Sequence, residues 1–348
     1  MKKKIVIGII AALLVLVASC GGYVWHNLKS KAWVKQDTWI YVKPYDSIDS
    51  LSVKFAEAAH EAEPSLWLRA ALRISSLGSK MDMGRISGAF LLKQGMPVLQ
   101  AVRVVALNMQ TPVRLTFIGQ RTVPEVAGRM ALCVMADSMQ ILNAIYSPEF
   151  LAECGTDSAN VGSFLLPDTY EVYWNISPQK LTQRMLAEYH KFWNGERLAK
   201  ASALNLSPRD ISIVCSIAEE ETADRQERGV VARLYWNRLQ RGMLLQADPT
   251  VKYAVGDFTL RRILNSHLEV ESPYNTYRVA GLPPGPIRVV EKRTIDAMLN
   301  SKPHPYIYMC AKEDFSGLHN FATTLAEHNR NAARYHNALS ALGKKKGK

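Results

Sequence analysis

The sequence predicts an α+β protein in three parts: an N-terminal membrane anchor, a small α+β module, and a larger mixed helix/strand domain. Three observations lead there. Residues 5–25 carry no charged side chain. Short β-branched and aromatic runs then alternate with helical stretches up to about residue 118. Beyond that point the helical stretches lengthen and polar, Pro- and Gly-rich loops gather between residues 243 and 285.

The uncharged run IVIGIIAALLVLVASCGGYVW is long enough to span a bilayer as a helix. Lys2, Lys3 and Lys4 precede it, and the positive-inside rule puts that end in the cytoplasm, with the rest of the chain on the outer or periplasmic face of the inner membrane. The alternative is a lipoprotein signal, because Val17-Ala18-Ser19-Cys20 resembles a lipid-processing box. Either reading keeps the chain on a membrane.

Composition narrows the function classes. A hydrophobic share of 48% with 21% charged residues is that of a globular protein. The formal charge is +12, but seven of those charges are lysines within the first four and last five residues, so the sequence argues for basic ends near an anionic surface and against a nucleic-acid partner. The five cysteines are widely spaced without a CxxC pattern, so neither a metal site nor a disulfide pairing is deduced.

In the small module, residues 39–42 read as a strand, 47–59 and 65–75 as helices, 88–92 as a strand, 96–107 as a helix and 112–117 as a half-buried strand. No cluster of nucleophiles or ligands falls in this region, which suits a binding or spacer role. Next come helices over 123–135 and 138–143, a short one opening at Ser147-Pro148, a loop over 162–170, and a helix over 178–192 with Leu181, Met185 and Tyr189 on one face.

The centre of the larger domain is SPRDISIVCSIAEEETAD, residues 207–224. Ser207 is a capping side chain and Pro208 suits the first turn, so a helix begins here. At about 100° per residue, Ile211, Val214, Cys215, Ile217 and Ala218 form one apolar stripe. Glu221 falls inside that stripe, while Glu219 and Glu220 point away from it. A carboxyl group on an apolar face is costly to ionise, so its pKa rises and it suits a general acid. The structural alternative is a Glu at the frayed helix end, paired with Arg225 or Arg228.

A second helix over 227–241, stopped by Gly242, brings another packing surface beside Glu221. Short strands and loops are expected over 243–285. Their amides, hydroxyls and aromatic rings suit an extended, uncharged, hydroxyl-rich ligand such as a glycan. Asp248, lying before Pro249, is either a turn residue or an electrostatic partner of the acid. His319 and His328 are nine residues apart, which matches no metal-ligand pattern.

Seven motifs in order resemble the endolytic murein transglycosylases of the MltG, or YceG-like, family. They are LPDTY (166–170), SIAEEET (216–222), NRL (237–239), LQADPTVKYA (245–254), SPYNTY (272–277), GLPPGPI (281–287) and HNFATTLAEHN (319–329). The resemblance implies that Glu221 is the catalytic acid, that Gln246, Asp248, Asn275, Tyr277 and His319 contact substrate, and that no metal or cofactor is needed. It also implies a LysM-like module over 35–118, a YceG-like catalytic domain over 119–340 with a basic tail over 341–348, and partners among peptidoglycan strands and wall-synthesis glycan polymerases. Two departures stand out: Val289-Val290-Glu291 replaces Asn-Pro-Gly, and Ala247 and Ala322 replace polar residues. Both bear on sugar contacts rather than on the acid.

Overall fold

The computed structural model describes residues 2–76, 84–260 and 262–346. The chain divides into two compact units, residues 1–115 with 133–136 and 170–176, and residues 116–132, 137–169 and 177–348.

The first unit opens with helix α1 (Lys2–Trp25), the one described helix long and apolar enough to cross a membrane. A short π-helical turn follows at His26–Ser30. Then come β1 (Thr38–Val42), α2 (Ile48–Ala58), α3 (Leu66–Ser76), β2 (Gly88–Leu92) and α4 (Val98–Ala106). Strands β1 and β2 are antiparallel with Ile40 opposite Phe90. Alternation puts Ile40 and Val42 inward with Phe90 and Leu92, against Leu51 and Phe55 of α2 and Leu68 of α3. These side chains are buried, and they form this unit's own core.

Strands β3 (Val113–Phe117) and β4 (Asp168–Val172) pair with each other, and the division between units falls within each strand. β4 corrects the loop expected over 162–170: a 3₁₀ turn at Val161–Phe164 leads into it, and Tyr170 and Val172 turn inward at alternate positions. Pro167 and Asp168 look like turn residues, yet Pro is allowed at a strand's entry.

The second unit adds α5 (Val123–Ala131), which stops four residues short of the expected end, then α6 (Ser138–Ile145), α7 (Pro148–Cys154), α8 (Pro178–Phe192) and α9 (Gly195–Ala203). Its centre is α10 (Pro208–Glu221). Ser207 caps it as expected, and its N–H in turn donates to the Asp210 carboxylate.

Helices α11 (Arg228–Gln240), α12 (Asp248–Val255) and α14 (Lys292–Leu299) pack around α10, with α9 and the 3₁₀ turn. Consequently every residue from Ile211 to Glu219 is buried, and one apolar stripe describes too little of this helix. Gly229 sits where α11 meets α14: a Cβ there would lie 2.6 Å from the Ala297 carbonyl oxygen. Only glycine lets these two backbones come so close.

The strands expected over 243–285 are absent among the described residues; α12 and the short α13 (Asn265–Leu268) occupy this region instead. Asp248-Pro249 opens a helix rather than a turn, because Pro suits a first turn, and Gly256 in the left-handed region ends it. The unit closes with the antiparallel pair β5 (Tyr308–Ala311) and β6 (His319–Ala322), followed by α15 (Leu325–Lys346).

Candidate active site

The carboxyl group of Glu221, the last residue of α10, opens into a cavity of about 410 Å³. Tyr235 and Arg238 of α11, Gln246, Asp248 at the start of α12, Tyr277, Tyr308 of β5 and His328 of α15 share that cavity. Leu234, Met309 and Leu325 supply its apolar surface.

Burial, and secondarily the Asp248 carboxylate, push the Glu221 carboxyl up to about 7. The Tyr235 hydroxyl donates to Glu221 and opposes that shift. Tyr235 itself is fully buried and its phenol is held well above the ordinary range, so it remains a donor. The second carboxyl oxygen, Oε2, is buried without a protein partner among the described residues.

The opposite wall is held by the SPYNTY segment. The Tyr277 hydroxyl donates to Asp248 Oδ1 at 2.6 Å, and the Ala247 N–H donates to Thr276 Oγ1 at 3.1 Å. Gln246 is placed in the left-handed region, φ 50°, with its N–H on the Thr276 carbonyl. Arg238 fastens the same turn, donating from Nη1 to the Leu245 carbonyl at 2.8 Å and from Nη2 to Gln246 Oε1 at 3.1 Å.

The geometry thus brings together Glu221, Gln246, Asp248 and Tyr277, and it leaves Asn275 and His319 off the cavity wall. Asn275 is fully buried, with its amide donating to the carbonyls of Leu268 and Val270 and its Oδ1 accepting from the Tyr277 N–H. It shapes the loop that presents Tyr277. Removing it in Asn275→Ala strands two carbonyls and one N–H, and about 2–4 kcal/mol of stability should be lost, read as a lower denaturation midpoint in urea.

His319 is tied to Glu227, ring Nδ1 to Oε2 at 2.9 Å and backbone N–H to Oε1 at 2.9 Å. It braces β6 against the start of α11.

Beside the apolar Leu234, Met309 and Leu325, four polar wall residues escaped the sequence reading of the site: Tyr235, Arg238, Tyr308 and His328. Tyr235 reads as ordinary apolar spacing on its helix, and Arg238 and His328 lie within the NRL and HNFATTLAEHN motifs without a visible role. Only the folded chain stacks His328 on Tyr308, ring centroids 5.4 Å apart. The departures also find their place here. Ala247, Ala322, Val289 and Val290 are all buried and none lines the Glu221 cavity.

Glu219 and Glu220 do not point to solvent. Glu219 has no exposed side-chain surface and sits between Arg228 and Arg288, while Glu220 pairs with Arg121 and Arg288. Because Arg228 is engaged there, the proposed pairing of Glu221 with Arg228 is not formed; an all-round buried helix leaves no solvent side for these carboxylates. Among the described residues no three His, Cys, Asp or Glu side chains gather to hold a metal ion.

The second unit is therefore an α+β scaffold that presents one protonatable carboxyl to a cavity lined by three phenols, an amide, an Asp, an Arg and a His. The chain belongs to the YceG-like family, whose model matches residues 40–334. It is 38% identical over 130 residues to the endolytic murein transglycosylase of Bacillus subtilis, 37% of this chain and 35% of that one. To the endolytic murein transglycosylase of Streptococcus pneumoniae D39 it is 27% identical over 179 residues, 50% of this chain and 32% of that one. The chain thus covers about a third of the length of the curated relatives it matches. In fold it is similar to a YceG-like protein of Listeria monocytogenes, with a TM-score of 0.54 and 23% identity over 85% of this chain and 99% of that one.

Proposed function

We propose that this protein is a peptidoglycan lytic transglycosylase with Glu221 as its single catalytic acid and base. The observation that carries the reading is the Glu221 carboxyl itself, raised to about 7 in the wall of the cavity. The relatives' names give the substrate class.

In the reaction, neutral Glu221 donates its proton to the glycosidic oxygen as the bond from the muramic acid anomeric carbon breaks. The resulting carboxylate takes the proton from the same sugar's 6-hydroxyl, whose oxygen closes on the anomeric carbon. The products are a 1,6-anhydro end and a free 4-hydroxyl, and no water is consumed. Gln246, Asp248 and Tyr277 form the sugar-contacting wall, with Arg238, Tyr308 and His328 completing it.

A conventional hydrolase is the second reading, because Asp248 brings a second carboxylate to the same cavity. Mass spectrometry of purified glycan strands after incubation with the full-length protein in detergent separates the two. Anhydro ends support the transglycosylase, reducing ends the hydrolase. No cleavage by folded protein would leave a wall-binding scaffold.

A single acid that must start protonated predicts kcat/KM falling as pH rises through about 7. Tyr235→Phe removes the bond that lowers the Glu221 pKa, so the alkaline limb should move to higher pH. A limb that stays put or moves down would remove Tyr235 from this role.

Helix α1 is proposed as the inner-membrane anchor, residues 1–26, with both units on the outer face. Residues 35–118 are proposed as the LysM-like wall-binding module and 119–340 as the catalytic domain; the separate core of the first unit supports treating it as a module. Glycan polymerases of wall synthesis are the proposed protein partners.

A further inference from the structure

A second cavity, of about 280 Å³, opens in the same unit and shares no lining residue with the first. It accounts for a motif that the acid chemistry leaves unexplained. GLPPGPI (281–287) contributes nothing to the Glu221 cavity, yet Pro286 lines this one and Arg288 follows directly.

The motif's geometry is built for this wall. Gly285 lies against the chain at Ala159, where a Cβ would come within 2.1 Å of the carbonyl oxygen, and Ala159 is itself part of the lining. The Ile287 N–H is anchored on Ser216 of α10 at 3.0 Å. The loop is thereby fixed to the helix that carries the acid.

Two guanidinium groups that line this cavity converge on Glu220. Arg121 donates to Glu220 from Nε at 3.2 Å and Nη2 at 2.6 Å, and Arg288 donates to Glu220 from Nη1 at 2.7 Å. That leaves Arg121 Nη1 and Arg288 Nη2 without a protein acceptor among the described residues. Donors of this kind recognise oxyanions.

Glu220 bridges both guanidinium groups and Glu219 pairs with Arg288 and Arg228, so the positive charge left over suits a monoanion at most and not a phosphate dianion. Val123, Pro124 and Val289 make the adjoining wall apolar. The pocket combines a carboxylate anchor with room for small apolar groups beside it.

We infer that this second cavity binds the free carboxylate end of a short peptide with small side chains, as borne by substituents of the glycan strand. The choice of a wall peptide rests on the proposed function; the carboxylate chemistry does not. The site shares α10 and α12 with the acid cavity: consecutive Glu220 and Glu221 serve one each, and α12 gives Asp248 to the first and Tyr253 to the second. Peptide-bearing strands would thus be held by two separate recognition points.

Isothermal titration of the full-length protein in detergent with N-acetyl-alanyl-alanine, in both chiral forms, tests this. The acid should bind, and its C-terminal amide and free acetate should each bind roughly tenfold more weakly or worse. Arg121→Gln, whose loss leaves Glu220 paired with Arg288, should weaken the acid by a similar factor. Equal binding of acid and amide on the unaltered protein would overturn the inference whatever the variant does. So would acetate binding as tightly as the dipeptide, undiminished binding by a folded Arg121→Gln protein, or no binding of either chiral form. Binding is read without cleavage, so a protein that takes the acid but cuts no glycan would keep this site and lose only the transglycosylase reading.

Discussion

Glu221→Gln is expected to lower glycan cleavage by about a thousandfold or more and, at the same time, to stabilise the fold above neutral pH. Glutamine keeps the side chain's shape and cannot transfer a proton, so the activity loss follows from the chemistry alone. The stability gain follows from burial. The Glu221 carboxyl stands at about 7 in the folded chain against 4.5 in an unperturbed one.

A group raised in this way favours folding fully below its unfolded pKa and loses that contribution as pH climbs through the folded value. The native protein should therefore lose up to about 3 kcal/mol between pH 4 and pH 8 through this residue. The variant is spared that loss. Urea unfolding at both pH values, with the cleavage assay beside it, checks the pair: the variant's advantage should be near zero at pH 4 and largest at pH 8. An inactive variant with no pH-dependent advantage would mean that Glu221 is not held neutral, and the acid role would fall with it.

The second large effect lies in the ion network beneath the acid. Arg288→Met is expected to cost about 3 kcal/mol or more, because it leaves Glu219, which has no exposed side-chain surface, and Glu220 short of a shared cation. Glu219 already has its carboxyl raised by burial, which outweighs the Thr294 hydroxyl and the two arginines that oppose it. Losing Arg288 raises it further. By the same linkage the deficit should widen as pH rises from below 4.5 toward neutral, since the unfolded chain ionises this Glu while the folded chain resists.

Urea midpoints at pH 5 and pH 8 test this, and Glu219→Leu added to Arg288→Met should restore part of the loss. A deficit that is the same at both pH values, with no recovery in the double variant, would show that the network's charges do not oppose each other as described. The functional consequence is local: this network grips the last turn of α10, where Glu221 sits.

Local rules carried the start of α10, the inward-facing Glu at its end and the apolar N-terminal helix, because each depends on neighbours in the chain: a capping Ser before Pro, the 100° step, a run without charge. The same rules failed for residues 243–285, where Asp-Pro signals a turn or a first helical turn equally well and tertiary packing of α12 on α10 made the choice. The family resemblance implies a substrate contact at Asn275, and only the fold reveals that its amide makes three bonds inside the protein.

Sequence alone, then, determined the family, the inward-facing position of Glu221 and the membrane-length helix, since those are written in ordered motifs and in periodicity. Tertiary structure alone decided which residues surround the acid. Tyr235, Asp248, Tyr277 and His328 stand far apart in the chain, and the factor that lifts Glu221 to about 7 is the burial their elements create together. Burial is a property of the assembled core, and no stretch of sequence possesses it by itself.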